Sequence, residues 1–226
     1  MVPSASEVPN PWFSWEYVTS NADLLLTAGR EHVFLTVSSV LLALVFAFPL
    51  AFLVRRYRRL EAPVLGLSGV LYTIPSLALI SLLWPIFGLT PWTVIIALAV
   101  YALLVVLRNT VVGLESVSEN VVDAARGMGM GKRQLLVRVE LPLAMPTILA
   151  GIRIATVTTV GMVTIGALVG YGGFGTLILS GFQANFYHAQ IMTATLCCVL
   201  LAFIFEVLLL VLERVTLPWS RQEVPE

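Results

Sequence analysis

Three stretches of this sequence carry no formal charge: 32–54 is 23 residues long, 62–107 is 46 and 154–205 is 52. Together they occupy 121 of 226 residues. One membrane span needs about 20 consecutive apolar residues, so the first run holds one helix and each of the others holds two. Glycine and proline clusters punctuate a chain most strongly. They place one break at Gly88-Leu89-Thr90-Pro91 and another across 170–175. Five spans are expected, at roughly 32–54, 64–86, 92–107, 147–169 and 189–212. In lipid the backbone has no outside hydrogen-bond partner, so only helices or a closed barrel can cross. Barrel strands are short and alternate in hydropathy. These long continuous runs predict an all-α integral membrane protein. Hydrophobic residues make up 58%, charged residues 12% and the mean hydropathy is +0.94. Soluble domains carry about a quarter charged residues, which excludes a soluble enzyme, and the apolar content excludes disorder.

Lysine and arginine orient the chain. Arg55, Arg56, Arg58 and Arg59 follow the first span. Arg108, Arg126, Lys132, Arg133 and Arg138 lie between the third and fourth, and Arg214 and Arg221 follow the fifth. That is 11 of the 13 basic residues on one side, which the positive-inside rule assigns to the cytoplasm. The N-terminus is then outside. Arg30 alone lies on the outer side, and Arg153 sits near the start of span four. Basic and acidic residues balance at 13 each, so no surface for nucleic acid is indicated. Cys197 and Cys198 are adjacent in an apolar run and suggest neither a disulfide framework nor a metal site. His32 and His188 are expected at outer helix ends, too far apart in sequence to suggest a metal pair.

Residues 1–30 show no basic n-region and no early apolar stretch of a cleavable signal. They are expected to form an extracytoplasmic segment, with the first span as an uncleaved anchor. Trp12, Phe13, Trp15 and Tyr17 suit the headgroup zone, either as an interfacial helix bracing the outer face or as a plain anchor. Residues 31–213 form the membrane domain, with a cytoplasmic loop at 108–146, and 214–226 form a short cytoplasmic tail.

That loop is the one long polar segment. Ser116-Val117-Ser118-Glu119 has the pattern of a capping box. Val121, Ala124, Ala125 and Met128 then recur at helical spacing as one apolar face. Gly127, Gly129 and Gly131 end the helix in a tight reversal. A second short helix carries Leu135, Leu136 and Val139 on one side, and Pro142 ends it by disfavouring helix at Leu141. The loop is either a rigid protrusion for a cytoplasmic partner or an amphipathic segment resting on membrane lipid.

The spacing Asp123-Ala124-Ala125, three residues, Gly129, nine residues, Val139, one residue, Leu141-Pro142 resembles the EAA loop of ATP-binding-cassette importer permeases. Asp stands for Glu and Val for Ile. The resemblance runs over roughly 30–212. It includes Tyr72-Thr-Ile-Pro-Ser-Leu-Ala-Leu79, Tyr101-Ala-Leu-Leu104, Arg108-Asn-Thr110, Gly127-Met-Gly-Met130, Val139-Glu-Leu-Pro-Leu-Ala144, Ala150-Gly-Ile-Arg153 and Gly170-Tyr-Gly-Gly-Phe-Gly-Thr176. These look like the branch that imports osmoprotectants, the glycine betaine, carnitine and choline group.

The resemblance implies a type I (MetI-like) permease fold in a bacterial or archaeal inner membrane. It implies a cytoplasmic ATPase partner that carries the ATP and magnesium. It also implies an extracytoplasmic solute-binding protein, and a second permease subunit that is either another copy or a homologous chain. Docking on the ATPase is assigned to Asp123, Ala124, Ala125 and Gly129, within the motif completed by Val139, Leu141 and Pro142. No cofactor, metal or catalytic residue is expected on this chain. Gly127-Met-Gly-Met-Gly-Lys132 is not a phosphate loop, because Arg133 stands where a Ser or Thr is needed and no strand precedes it.

The glycine-rich stretch 170–175 is either a bend or re-entrant element at the outer mouth or a site of close helix packing. Candidates for a polar path are Tyr72, Thr73 and Ser76 around Pro75, Tyr101, and Thr158 and Thr159 in span four. Interhelical hydrogen bonding is the alternative role for the hydroxyls. Glu206 is the one acid well inside a span, and intramembrane charges mark pathways or paired braces. A different solute for the same architecture is the first rival reading. An ATP-independent secondary transporter is the second, and a membrane scaffold without transport is the third.

Overall fold

A computed structural model describes residues 10–218, and every regular element among them is helical. In chain order these are α1 (Trp15–Ser20), α2 (Ala22–Arg56), α3 (Glu61–Thr73), α4 (Ser76–Phe87), α5 (Pro91–Glu115), α6 (Glu119–Gly127), α7 (Lys132–Leu135), α8 (Leu141–Val163), α9 (Phe174–Gln183) and α10 (His188–Thr216). Three further turns connect them: 3₁₀ at Arg58–Leu60, π at Leu136–Glu140 and 3₁₀ at Thr164–Val169. Four stretches are long and apolar enough to cross a membrane: α2, α5, Lys132–Val169 and α10. The expected second span, 64–86, is not one helix. It is the pair α3 and α4, bent by 94°. Pro75 lacks an N–H and pushes the residue before it out of helical geometry. Ile74 accordingly sits at φ −65°, ψ 126°.

The core forms where small residues let helices close up. Ala43, Ala47 and Ala51 recur every fourth position on α2, each 0% exposed, and meet Ala99, Ala102 and Val106 of α5. A Cβ on Gly113 of α5 would come within 3.0 Å of the Ala144 carbonyl of α8. One on Gly151 of α8 would overlap the Asn109 side chain of α5. Lipid is as apolar as leucine, so close packing rather than hydrophobic expulsion holds such helices together. The α5 helix is central, packed by α2, α3, α4 and α8. By contrast α10 rests on α8 and α9 and turns Leu196, Val199, Leu200, Phe203 and Leu208 outward.

At the outer end the stretch 170–187 is neither a plain loop nor a span. Gly170 adopts a left-handed conformation, and α9 follows for 10 residues. A helix of that length covers about 15 Å, half the hydrocarbon core of about 30 Å. Its Phe174 and Leu177 pack on Ala28 of α2 and Ala194 of α10. The N-terminal segment is tied to the following turn. Trp12 stacks on His188 at 4.2 Å, Asn10 accepts from the His188 N–H at 2.9 Å, and Tyr17 meets Tyr187 edge-on at 5.5 Å. These contacts fasten the aromatic cluster to the turn before α10, while Trp12 and Trp15 remain 68% and 69% exposed. The helix of the first span begins at Ala22, ahead of the expected boundary at 30. Arg221 and most of the expected tail lie outside the described residues.

Candidate functional site: the α6–α7 hairpin

The hairpin begins where α5 runs out. Ser116 is not the capping residue its pattern suggests, because its hydroxyl donates to the Gly113 carbonyl at 2.8 Å and so closes the end of α5. Ser118 takes the N-cap position of α6, and Glu119 places a negative charge in the first turn, where the helix dipole favours it. After Gly127 the chain reverses through Gly129 at φ +83°, a conformation that costs a side-chain-bearing residue about 1–2 kcal/mol. The Met130 N–H returns to the Ala125 carbonyl at 3.2 Å.

The inside and outside of α6 differ from the expected apolar face by one residue. Val122 and Ala125 are buried and form a small core with Leu135, backed by Val117, Met130 and Val139. Val121 and Met128 instead point outward, 42% and 73% exposed, with Ala124 between them also exposed. Packing against α7 selects the two residues nearest that helix and leaves the rest of the apolar stripe uncovered. Beside the stripe, Asp123 pairs with Arg126 at 3.2 Å, both well exposed.

The motif positions thus divide. Asp123 and Ala124 face out, Ala125 and Val139 hold the hairpin core, and Gly129 makes the turn. Leu141 packs with Leu114 and Ile148. Pro142 does not end a helix. The helical path runs unbroken from Lys132 to Val169, because a π-turn precedes the proline. The Leu141 N–H donates to Leu136, five residues back, so the chain is already out of α register where the ring arrives. The hairpin is therefore the direct extension of α8.

Charged braces tie this region to the bundle. Glu140, 3% exposed, accepts a hydrogen bond from Arg55 in the last turn of α2. Arg58 reaches Glu115 at 3.9 Å. Within the span, Arg153 lies 3.7 Å from Glu206 and 3.6 Å from Glu213. Glu206 is therefore half of an α8–α10 brace. No pattern in the sequence marks Glu140 or Arg55; only the presence of an acid between two motif residues could have drawn notice.

The remaining path candidates do not gather into one site. Tyr101 is 6% exposed, and its hydroxyl donates to the carbonyl of Ile74. It thereby satisfies a backbone group freed by the α3–α4 break, with Tyr72 edge-on at 5.6 Å. Thr73 donates to Val70 at 2.7 Å, while Ser76 opens α4. Thr159 is buried and bonded to the Ala155 carbonyl at 2.6 Å. Thr158 stands on an exposed face of α8, bonded to Ile154 at 2.8 Å.

His32 is not at a helix end. It is 0% exposed inside α2. Its Nε2 lies 2.9 Å from the Val160 carbonyl, and its Nδ1 accepts from the Phe174 N–H at 3.3 Å. Those two partners define the Nε2–H tautomer. Glu31 accepts from the Gly173 N–H at 3.2 Å, so two side chains of α2 hold the start of α9. Gly173 sits at φ +52°, and a Cβ there would come within 2.6 Å of the His32 Cβ. Among the described residues no group of His, Cys, Asp and Glu is placed to hold a metal, and Cys197 and Cys198 are free thiols.

Four long apolar helical stretches, one bent helix pair and a helical hairpin continuous with Lys132–Val169 make up the architecture of a polytopic membrane subunit. Residues 39–218 match the family of binding-protein-dependent transport system inner membrane components, and the chain belongs to that family. Among curated relatives, the Bacillus subtilis (strain 168) glycine betaine/carnitine/choline transport system permease protein OpuCD is 37% identical over 92% of this chain and 90% of that protein. The Listeria monocytogenes carnitine transport permease protein OpuCB is 35% identical over 93% and 96%. The Salmonella typhimurium osmoprotectant import permease protein OsmW is 37% identical over 89% and 96%. Among solved structures, an inward-facing MetNI methionine ABC transporter matches with a TM-score of 0.76 at 22% identity, over 87% of this chain and 97% of that one. An amino acid ABC transporter with histidines matches at 0.75 and 17% identity, over 89% and 98%. At such identities the structural likeness bears on the fold alone. The chain is a multi-pass inner-membrane permease subunit.

Proposed function

We propose that this permease carries a compatible solute of the quaternary ammonium class, such as glycine betaine, choline or carnitine, and takes its energy from a separate cytoplasmic ATPase. The observation that carries the coupling is the uncovered stripe Val121, Ala124 and Met128 beside Asp123, on a hairpin continuous with a membrane span. Fully covering a Val or Met side chain is worth about 1.5–3 kcal/mol, so a partner groove gains by closing over this stripe. The curated relatives named above, whose printed functions are import of these solutes, support the solute class.

The path lies between two permease subunits, either two copies or one copy with a homologous chain. An external solute-binding protein delivers the solute. ATP and magnesium reside on the ATPase, and this chain contributes no catalytic group. Nucleotide binding biases the assembly between inward- and outward-facing states through its differential affinity for them. An ATP-independent carrier would need a free intramembrane relay, and Glu206 is committed to Arg153.

The test is uptake of labelled glycine betaine at high external salt, with the ATPase co-purified from the same membranes. Asp123→Arg and Gly129→Trp are expected to abolish uptake and ATPase retention while the chain still inserts. Uptake retained in both variants overturns the docking assignment. Intact ATPase retention without any betaine uptake by the wild type keeps the importer and rejects the solute.

A further inference from the structure

The hairpin is suspended from the bundle at two points, one held by the last turn of α2 and the other by the 3₁₀ turn that follows it. Where the chain leaves α5 for the hairpin, Glu115 is met by Arg58. Where it returns towards α8, Glu140 is met by Arg55. The second contact is the more demanding. Glu140 is almost wholly buried, its side chain 4% exposed, and it lies in the π-turn between α7 and α8. The Nη2 of Arg55 makes the contact, while its Nε is buried without a hydrogen-bond partner. Arg55 is part-exposed, its side chain 31% accessible, but the Glu140 carboxylate is out of water. Pairing a buried charge contributes little net stability compared with an apolar pair of the same size, and such pairs are best attested as devices that fix register or state.

The location says which state is at stake. The π-turn is the break in α register at the root of α8, between the hairpin and the membrane core, and such turns concentrate at functional sites. A push delivered on α6 would be absorbed there by bending, unless the turn were held. Arg55 holds it to α2, whose alanine seam is packed on α5. A displacement of the hairpin then moves the end of α2 and the start of α8 together.

We propose that Glu140 and Arg55 are positioning residues for energy coupling. Their pair makes the π-turn rigid, so that movement of the hairpin reaches the path instead of being lost at its root. The proposal rests on the reading of the hairpin as the ATPase-docking element.

The experiment uses the whole complex in proteoliposomes, with ATPase and binding protein. It reads ATP hydrolysis, glycine betaine uptake and the amount of assembled complex. The principal variant is the double Arg55→Gln/Glu140→Gln, which leaves no unpaired buried charge; the two single variants accompany it. The double is expected to assemble at the wild-type level and keep unstimulated ATP hydrolysis, while solute moved per ATP falls about tenfold, within the range of a typical coupling free energy. Because the pair acts as a unit, the double is no worse than either single. A wild-type ratio of uptake to hydrolysis in the double overturns the proposal. So do losses that track only the amount of assembled complex, and so does a double whose loss is the product of the two singles. A wild-type chain that neither retains the ATPase nor couples to it refutes the docking reading, and this proposal falls with it. Coupling intact in both wild type and double refutes this proposal alone.

Discussion

Arg153 is the residue on which the membrane electrostatics turn. It stands between Glu206 and Glu213 of α10, at 3.7 and 3.6 Å. The three side chains are partly exposed, 23%, 38% and 24%, so stranding one of these charges costs less than the about 3–5 kcal/mol of a fully buried pair, and here one cation serves two acids. Arg153→Leu is therefore expected to lower the melting temperature of the detergent-purified protein far more than Glu206→Gln, which leaves Arg153 with Glu213. Glu206→Gln is also expected to transport at close to the wild-type rate. A transport defect in Glu206→Gln with an unchanged melting temperature would return Glu206 to the path. The single charges were visible in the sequence, but their pairing was not: 53 residues separate Arg153 from Glu206, and no local spacing connects them. His32 was misplaced for a related reason. The charge-free run begins after Glu31, yet the helix starts at Ala22 and carries Asp23, Arg30 and Glu31 within it, so counting charges located the apolar stretch and not the helix.

Among the elements, the four unbroken crossings were legible because lipid enforces length and apolarity on each of them. The fine structure of the others was not. Pro75 announces an interruption, but the 94° bend between α3 and α4 needs something to satisfy the part-buried Ile74 carbonyl that the break frees. That is Tyr101, 27 residues further on. Tyr101→Phe leaves this carbonyl unsatisfied, at a cost of about 1–3 kcal/mol. The expected outcome is a lower melting temperature and faster proteolysis at 73–76 in solubilised protein, with α5 otherwise intact. A variant as stable as the wild type would mean that the bend is held by packing of Leu79 and Ile80 alone. Pro142 misleads in the opposite sense. Proline before a span reads as a helix stop, and only the π-turn at Leu136–Glu140 lets the helix continue. A one-residue change of register leaves no mark in composition. On α6 the spacing identifies the apolar residues, but which of them meets α7 depends on how the hairpin closes.

At the scale of the molecule, the outer faces of α8 and α10 differ in kind. On α10 the outward residues from Leu196 and Leu200 to Phe203 and Leu208 are apolar, as suits lipid, with the exposed Thr195 at one end of that stretch. The outward stripe of α8 runs through Ile154, Thr158 and Gly161, and the hydroxyl of Thr158 is bonded back to its own helix at 2.8 Å. Under the proposed arrangement of two permease subunits, this part-polar face of α8 is the one assigned to the path, since small and hydroxyl-bearing residues suit a helix or water contact better than open lipid. Thiol chemistry separates the two surfaces, because the reactive thiolate forms only where water reaches it. With Cys197 and Cys198 replaced by Ala, a single Thr158→Cys is expected to react with a water-soluble thiosulfonate reagent in the assembled transporter. A single Leu200→Cys on the α10 face is expected to stay unmodified. Equal protection at both positions would move the path away from α8, and the transport role of its threonines would go with it.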